Sequence, residues 1–193
     1  MEYGPAENKN DEDENIKTIF LQKVKSNNNP KNDKVAQKSK KSREITKTIT
    51  WVKQITKEDF STTSQLLLLE NPFDSANKKQ VFVYSQIKQK INGYRHQDIL
   101  KQKLNADKFV DLDFVIKLLF RSNLLCFYCR ELVFLLYEMV RDPKQWTLER
   151  VYNIHGHNKD NVEICCLSCN IKRRTMFHEK YKFTKQITFQ KET

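Results

Sequence analysis

Four of the five cysteines form two C-x-x-C pairs, Cys126/Cys129 and Cys166/Cys169. Thiolates hold zinc tetrahedrally, and two such pairs in one short region are typical of a four-cysteine structural zinc site. We therefore expect these four residues to bind one Zn²⁺. The segment 146–161 between the pairs would then be a small structure that the metal clamps at both ends.

The fifth cysteine, Cys165, directly precedes Cys166 and has no partner at C-x-x-C spacing. We expect it to be a buried strand residue and not a ligand. Disulfides are a weaker alternative for the four paired cysteines, because residues 1–5 lack the basic and apolar regions of a signal peptide. The expected location is intracellular and not secreted.

The charge of the chain predicts an acidic partner. The formal net charge is +11, from 35 Lys and Arg against 24 Asp and Glu. Nucleic acid is the commonest partner of such a protein, and we expect DNA first. An alternative explanation for part of the excess is an AT-rich genome, whose codons favour Lys, Asn and Ile. No apolar run approaches the length of a bilayer-spanning helix, so no membrane partner is expected. A small-molecule cofactor is not expected either.

The helices and strands that position the cysteines are expected to begin after an N-terminal tail. Residues 1–47 carry an acidic cluster at 11–14 and Asn and Lys runs, so we expect disorder there. A short basic cluster, Lys38, Lys40, Lys41 and Arg43, is either a nuclear-targeting or DNA-contacting arm or a solvated tail.

A mostly helical region is expected at 48–121. It begins with a short strand at 48–52, because Trp51 and its β-branched neighbours favour one. Helices are expected at 64–70, at 81–89 with an interruption at Gly93, and at 111–121 with Asp111 or Asp113 as the cap. The polar stretch 94–104 lies either along a phosphate backbone or on a solvated helix face.

The pattern changes at Cys126, and residues 122–180 are expected to form a separate domain. Residues 126–129 form a turn with two thiolates, and 132–137 is β-prone. Strands are expected at 146–152 and 162–166, with a polar loop at 153–161 between them and a basic helix at 167–176. The fold class is therefore α+β, with a zinc-anchored ββα-metal unit and a C-terminal tail at 181–193.

The chain resembles the zinc-anchored form of the HNH endonuclease family, and especially the HNH-like proteins of large DNA viruses. The resemblance covers residues 126–174, roughly a quarter of the chain. It rests on Cys126-x-x-Cys129, Thr147-Leu148-Glu149-Arg150-Val151, Gly156-His157-x-x-Asp160-Asn161-Val162 and Cys166-x-x-Cys169-Asn170-x-Lys172. For a viral protein, the expected location is the host cytoplasm, the nucleus or the virion.

The resemblance implies a divalent-ion site separate from the zinc. Glu149 stands where the family has an acidic metal ligand, and Asn170 where the family completes the site, so Mg²⁺ or Mn²⁺ would lie between them. Arg150 stands where the family has its general-base histidine. A guanidinium stays protonated, so Arg150 would instead bind the scissile phosphate or stabilise charge in the transition state.

Two histidines of the loop are candidates for the missing base. His157 or His155 would activate water, because imidazole titrates near neutrality. His157 is preferred because it follows Gly156, although it could instead cap the loop or contact phosphate. Asn161 matches the middle residue of the family motif, whose side chain braces the loop. Lys172, Arg173 and Arg174 would grip the nucleic-acid backbone.

Three functions remain open at this point. The first is a metal-dependent endonuclease. The second is a zinc-stabilised DNA- or RNA-binding module that has lost catalysis because of Arg150. The third is a structural or virion-associated protein in which zinc only stabilises the fold.

Overall fold

The computed structural model describes residues 41–70 and 72–187. The chain forms helices α1 (Ile49–Gln54), α2 (Thr62–Glu70), α3 (Lys78–Leu100) and α4 (Leu112–Arg121), then strands β1 (Trp146–Arg150) and β2 (Val162–Cys166). Helices α5 (Leu167–Arg173) and α6 (His178–Gln186) follow. This confirms the α+β prediction. The predictions for residues 1–40 lie outside the described residues.

The two strands pair in antiparallel register, with Leu148 opposite Ile164 and Glu149 opposite Glu163. Leu148 and Ile164 are almost fully buried and belong to one core with the inward faces of α3 and α4. Helix α5 starts directly at the end of β2 and packs on both strands. The observed order is thus strand, loop, strand and helix, which is the order that the sequence predicts.

Helix α4 is strongly amphipathic and begins where the sequence predicts. The Asp111 side chain caps it by accepting a hydrogen bond from the Phe114 N–H at 2.8 Å. Val115 and Leu119 are fully buried on its inner face. The helix delivers the chain to Cys126, so the core fixes where the first C-x-x-C pair lies.

The predicted strand at 48–52 is wrong, since these residues enter helix α1. Thr48 caps that helix by accepting a hydrogen bond from the Trp51 N–H at 3.2 Å. The Trp51 ring then packs edge-on against Phe60 and Phe82. The cap and this packing outweigh the β-propensity of the segment. Helical structure also begins inside the predicted tail 1–47, with a 3₁₀ turn at Glu44–Lys47.

Gly93 does not interrupt α3, which continues to Leu100. Glycine costs only about 1 kcal/mol in a helix interior, and burial of Ile91 and Tyr94 on either side offsets that cost. Neither interpretation of 94–104 holds for the whole stretch, because Tyr94 and Asp98 point into the core.

Two further predictions are corrected near the C-terminal half. Residues 132–137 form only isolated bridges, from Leu132 to Leu125 and from Phe134 to Gln145, and no strand. Residues 181–186 of the predicted tail belong to α6, which is held to the C-x-x-C turn by the Tyr181 ring against Tyr128 at 4.9 Å. No helix within 41–70 or 72–187 has the length and apolarity to span a bilayer.

Candidate functional site

The four paired cysteines come together in space. Their Sγ atoms all lie within 4.8 Å of one another, and Cys129 and Cys166 are 4.0 Å apart. A tetrahedral ion with Zn–S bonds of about 2.3 Å would separate its sulfurs by about 3.8 Å. The cluster therefore fits a metal ion such as zinc with only small adjustment.

Three hydrogen bonds place these sulfurs. The Cys126 N–H donates to the Glu131 carbonyl at 2.9 Å, which closes the turn, and the Phe127 N–H donates to Ile164 of β2 at 2.8 Å. Cys166 caps α5, since its Sγ accepts a hydrogen bond from the Cys169 N–H at 3.4 Å. The first pair is thus held next to β2, and the second pair is positioned by the start of α5.

Cys165 is a fully buried residue of β2, as the sequence predicts. Its Sγ lies 3.6 Å from that of Cys126. This hydrogen bond raises the pKa of Cys165 and lowers the pKa of Cys126. Cys165 lies outside the group of four cysteines whose Sγ atoms could hold one metal ion.

A cleft of about 350 Å³ opens beside β1 and contains most of the predicted catalytic residues. Glu149, Arg150, His157 and Asn170 all line it, together with Lys101 and Arg174. The loop after β1 brings His157 back toward the strand, and α5 brings Asn170. His155 is exposed and does not line this cleft.

His157 is held by Asp98, a residue of α3 that sequence reasoning did not single out. Asp98 Oδ1 lies 2.9 Å from His157 Nδ1, and Asp98 Oδ2 accepts the His157 backbone N–H at 2.6 Å. Both side chains are buried, with exposed fractions of 0% and 5%. Burial lowers the pKa of His157 below 6.5, and Asp98 opposes that shift.

Tyr94 and Gly156 complete this arrangement. The Tyr94 ring lies against the His157 ring with centroids 4.5 Å apart, and its hydroxyl accepts the Leu148 N–H at 3.1 Å. A Cβ on Gly156 would lie 2.4 Å from the Lys103 carbonyl oxygen and 2.7 Å from Asp98 Oδ2. Only glycine allows the loop to approach α3 this closely. The spacing of Tyr94 and Asp98, one helical turn apart, is the sequence feature that could have indicated that both face the same neighbour.

Asn161 braces the loop after β1 with three hydrogen bonds. Its Oδ1 accepts the Tyr152 N–H at 2.9 Å, and its Nδ2 donates to the carbonyls of Tyr152 and Gly156, each at 3.0 Å. Asn161 is 3% exposed and does not line the cleft. Its contacts fix the loop that carries His157.

Glu149 forms a buried ion pair with Arg173. Burial raises the pKa of Glu149 to about 7, while Arg173 lowers it. Arg173 also donates to the carbonyls of Arg150 at 2.6 Å and Met176 at 2.8 Å, and to Asn153 Oδ1 at 2.9 Å. Arg173 is 2% exposed, so the prediction that it grips nucleic acid is wrong: its charge holds β1, the loop and α5 together.

A divalent ion does not fit the cleft in this arrangement. Glu149 is the only carboxylate among the described residues that line it, and Arg173 already neutralises that group. The Asn170 amide donates to Thr147 Oγ1 at 3.2 Å. Proteins usually hold Mg²⁺ or Mn²⁺ with one or more carboxylates, and the Arg173 guanidinium would repel a cation placed beside Glu149.

The remaining basic residues give the cleft a positive edge. Lys172 and Arg174 are exposed at the end of α5, and Arg174 lines the cleft. Arg150 Nη1 donates to the His155 carbonyl at 3.3 Å.

Comparisons with protein-family models, curated proteins and solved structures found no match.

Proposed function

We propose that this chain is an HNH-type endonuclease that hydrolyses phosphodiester bonds in nucleic acid, with DNA as the first substrate to test. The observation that carries the proposal is the cleft beside β1. It joins an imidazole fixed by a buried carboxylate, His157 with Asp98, to the cations Arg150, Lys101 and Arg174. A candidate zinc site holds the same strand–loop–strand–helix unit together.

His157 serves as the general base in this proposal. Its lowered pKa keeps the imidazole neutral at pH 7, and the contact of Nδ1 with Asp98 leaves Nε2 as the proton acceptor. The water oxygen forms a bond to phosphorus while its proton passes to Nε2. The bond from phosphorus to the 3′ oxygen breaks, and that oxygen takes a proton from solvent.

The cations of the cleft stabilise the charge that develops on the phosphate. Arg150 and Arg174 can hydrogen-bond phosphate oxygens through planar guanidinium groups, and Lys101 adds a point charge. Zinc at the four thiolates would stabilise the fold and would take no part in hydrolysis. The resemblance implies a catalytic Mg²⁺ or Mn²⁺. The proposed mechanism does not use one, because Arg173 already pairs with Glu149.

Cleavage of plasmid and of single- and double-stranded oligonucleotides tests the proposal. Each substrate is incubated with the full chain in metal-free buffer, with Mg²⁺ and with Mn²⁺. We expect His157→Ala to abolish cleavage, and His96→Ala, at an exposed position of α3, to keep it. Intact substrate under every condition, or full activity of His157→Ala, would refute a nuclease built on this cleft.

A nucleic-acid-binding protein without catalysis is the second candidate. Two observations favour it: Arg150 occupies the usual base position, and the Glu149–Arg173 pair fills the place of a metal ligand. Binding through the exposed cations should then weaken steeply as salt rises. A protein that leaves DNA and RNA intact but binds them with this salt dependence is such a module. A folded, zinc-loaded protein with no affinity for either would leave only the structural or virion-associated role.

A further inference from the structure

A second cavity, of about 190 Å³, lies between α3 and the segment around Tyr137. Three aromatic residues, Trp51, Tyr137 and Trp146, form much of its wall, and Arg43 and Lys90 bring positive charge to it. Lys90 also lines the cleft beside β1, so the two cavities share one wall.

Both cations lie near the ring of Tyr137. The Arg43 guanidinium carbon is 4.0 Å from the Tyr137 ring centroid, and Lys90 Nζ is 5.1 Å from the same point. These distances place the cations no more than about 9 Å apart, within the range where like charges repel in a partly buried site. Something must compensate this repulsion when both groups are charged.

Neutral groups supply the hydrogen bonds of both cations. Arg43 donates to the Tyr137 carbonyl at 3.0 Å and to Gln86 Oε1 at 3.2 Å. Lys90 donates to the Trp146 carbonyl, to Gln145 Oε1 at 3.2 Å and to the Tyr137 hydroxyl at 3.5 Å. A guanidinium has five N–H groups, so Arg43 keeps donors for a ligand.

No carboxylate within residues 41–70 and 72–187 lies within 4.0 Å of either cation. Glu44 follows Arg43 in the chain, but its side chain is 74% exposed and pairs with Lys47. Burial, and then the charge of Arg43, lowers the pKa of Lys90 to about 7. A buried ammonium without a counter-charge is costly; it either loses its proton or gains an anion, and a bound anion would keep Lys90 charged.

We propose that this cavity is an oxyanion site, which binds a phosphate group between Arg43 and Lys90. The guanidinium offers hydrogen bonds in a plane that suits phosphate, and the ammonium offers a point charge. The phosphate comes from one of two sources: free inorganic phosphate, or a backbone phosphate of a strand that continues from the cleft past Lys90. The site does not depend on cleavage.

The two tryptophans of the chain both line this cavity, which makes them specific probes. The full chain, in its zinc-loaded form, is titrated with inorganic phosphate and separately with a single-stranded oligonucleotide, at constant ionic strength. Indole N–H resonances and tryptophan fluorescence are followed, with chloride as the control anion. We expect a saturable change with at least one of the two phosphate sources and none with chloride.

Two variants and one matched control complete the test. Arg43→Gln and Lys90→Met should each weaken binding by about tenfold or more, since each removes a charge-assisted contact. Lys88→Met, at an exposed position on the same helix, should bind like the wild type. Circular dichroism establishes that each variant is folded.

The outcomes distinguish the two phosphate sources from each other, and they distinguish the oxyanion site from the proposed nuclease function. A response to inorganic phosphate identifies a free-phosphate site, and a response to the oligonucleotide alone identifies a backbone contact. The proposal is overturned if neither phosphate source gives a saturable response. It is also overturned if folded Arg43→Gln and Lys90→Met bind phosphate as tightly as the wild type. This test measures binding and not cleavage, so its result stands even if the protein proves not to be a nuclease.

Discussion

Asp98 accepts two hydrogen bonds from His157, one at the backbone N–H and one at Nδ1, although 59 positions separate them in the chain. One carboxylate thereby fixes both the position of the loop and the orientation of the imidazole. With Nδ1 facing Asp98, the Nε2 atom is the one available to the cleft.

The first prediction concerns this contact. Asp98→Asn should lower any cleavage activity by a factor on the order of 100, because general-base catalysis contributes at least that much and the amide no longer fixes the imidazole tautomer. It should also lower the free energy of unfolding by about 1–3 kcal/mol. The measurements are single-turnover cleavage rates over a range of pH and denaturant unfolding.

Nitrogen chemical shifts of the imidazoles give a test that needs no activity. The chain has four histidines, so His157 can be assigned by comparison with His157→Ala. We expect protonated Nδ1 and unprotonated Nε2 at pH 7 in the wild type, and a mixture in Asp98→Asn. Protonated Nε2 in the wild type would contradict the proposed role of His157.

Two glycine-to-alanine substitutions should have opposite effects on stability. Gly156→Ala should lower the free energy of unfolding by about 1–3 kcal/mol, since its Cβ would overlap the Lys103 carbonyl and Asp98. Gly93→Ala should raise it by about 0.5–1 kcal/mol, because nothing lies within 4 Å of that Cβ and α3 is helical there. Urea unfolding of both variants provides the comparison; equal effects would mean that the loop does not pack on α3 in this way.

Metal analysis should find one zinc ion per chain. Structural zinc contributes on the order of 10 kcal/mol to the folding of small domains, so a strong chelator should unfold residues 122–187. Cys129→Ser should lose the metal. Cys165→Ala should keep the zinc stoichiometry, because Cys165 lies outside the four-cysteine set. Loss of zinc from Cys165→Ala would instead make Cys165 a ligand.

Substitutions should show that Arg173 stabilises the fold and that Arg174 contributes to nucleic-acid binding. Arg173→Ala should destabilise the fold by about 3–5 kcal/mol, because it leaves Glu149 buried without its partner. The loss should be larger at pH 8 than at pH 6, where Glu149 can protonate. Arg174→Ala should leave stability unchanged and reduce the salt slope of nucleic-acid binding by about 1. Thermal unfolding and salt-dependent binding isotherms measure these effects.

The pH dependence of stability should report on Lys90. Its pKa is about 7 in the folded chain and 10.5 is its ordinary value, so between these pH values the unfolded chain binds more protons. The free energy of unfolding of the wild type, relative to Lys90→Met, should therefore rise with pH, by up to about 1.4 kcal/mol per unit. Urea titrations in phosphate-free buffer from pH 7 to 9 measure it, and a flat difference would place a charged, compensated ammonium at Lys90.

The four-cysteine cluster and the strand–loop–strand–helix order could be predicted because both depend on local spacing. Two C-x-x-C pairs, the alternation from Trp146 and the cap at Asp111 are patterns of neighbouring residues. The strand predicted around Trp51 failed for a related reason. Its β-branched neighbours favour a strand, but the cap at Thr48 and the packing of Trp51 on Phe82 select a helix.

The sequence by itself therefore determined the four cysteines of the candidate metal site, the ββα order and the positions of Glu149 and His157 on it. Only the tertiary structure decided their partners. Asp98 meets His157 because α3 packs against the loop, and Arg173 turns inward because burial of Glu149 requires a counter-charge. Contacts between residues far apart in the chain depend on how elements pack, and no pattern of neighbouring residues contains that information.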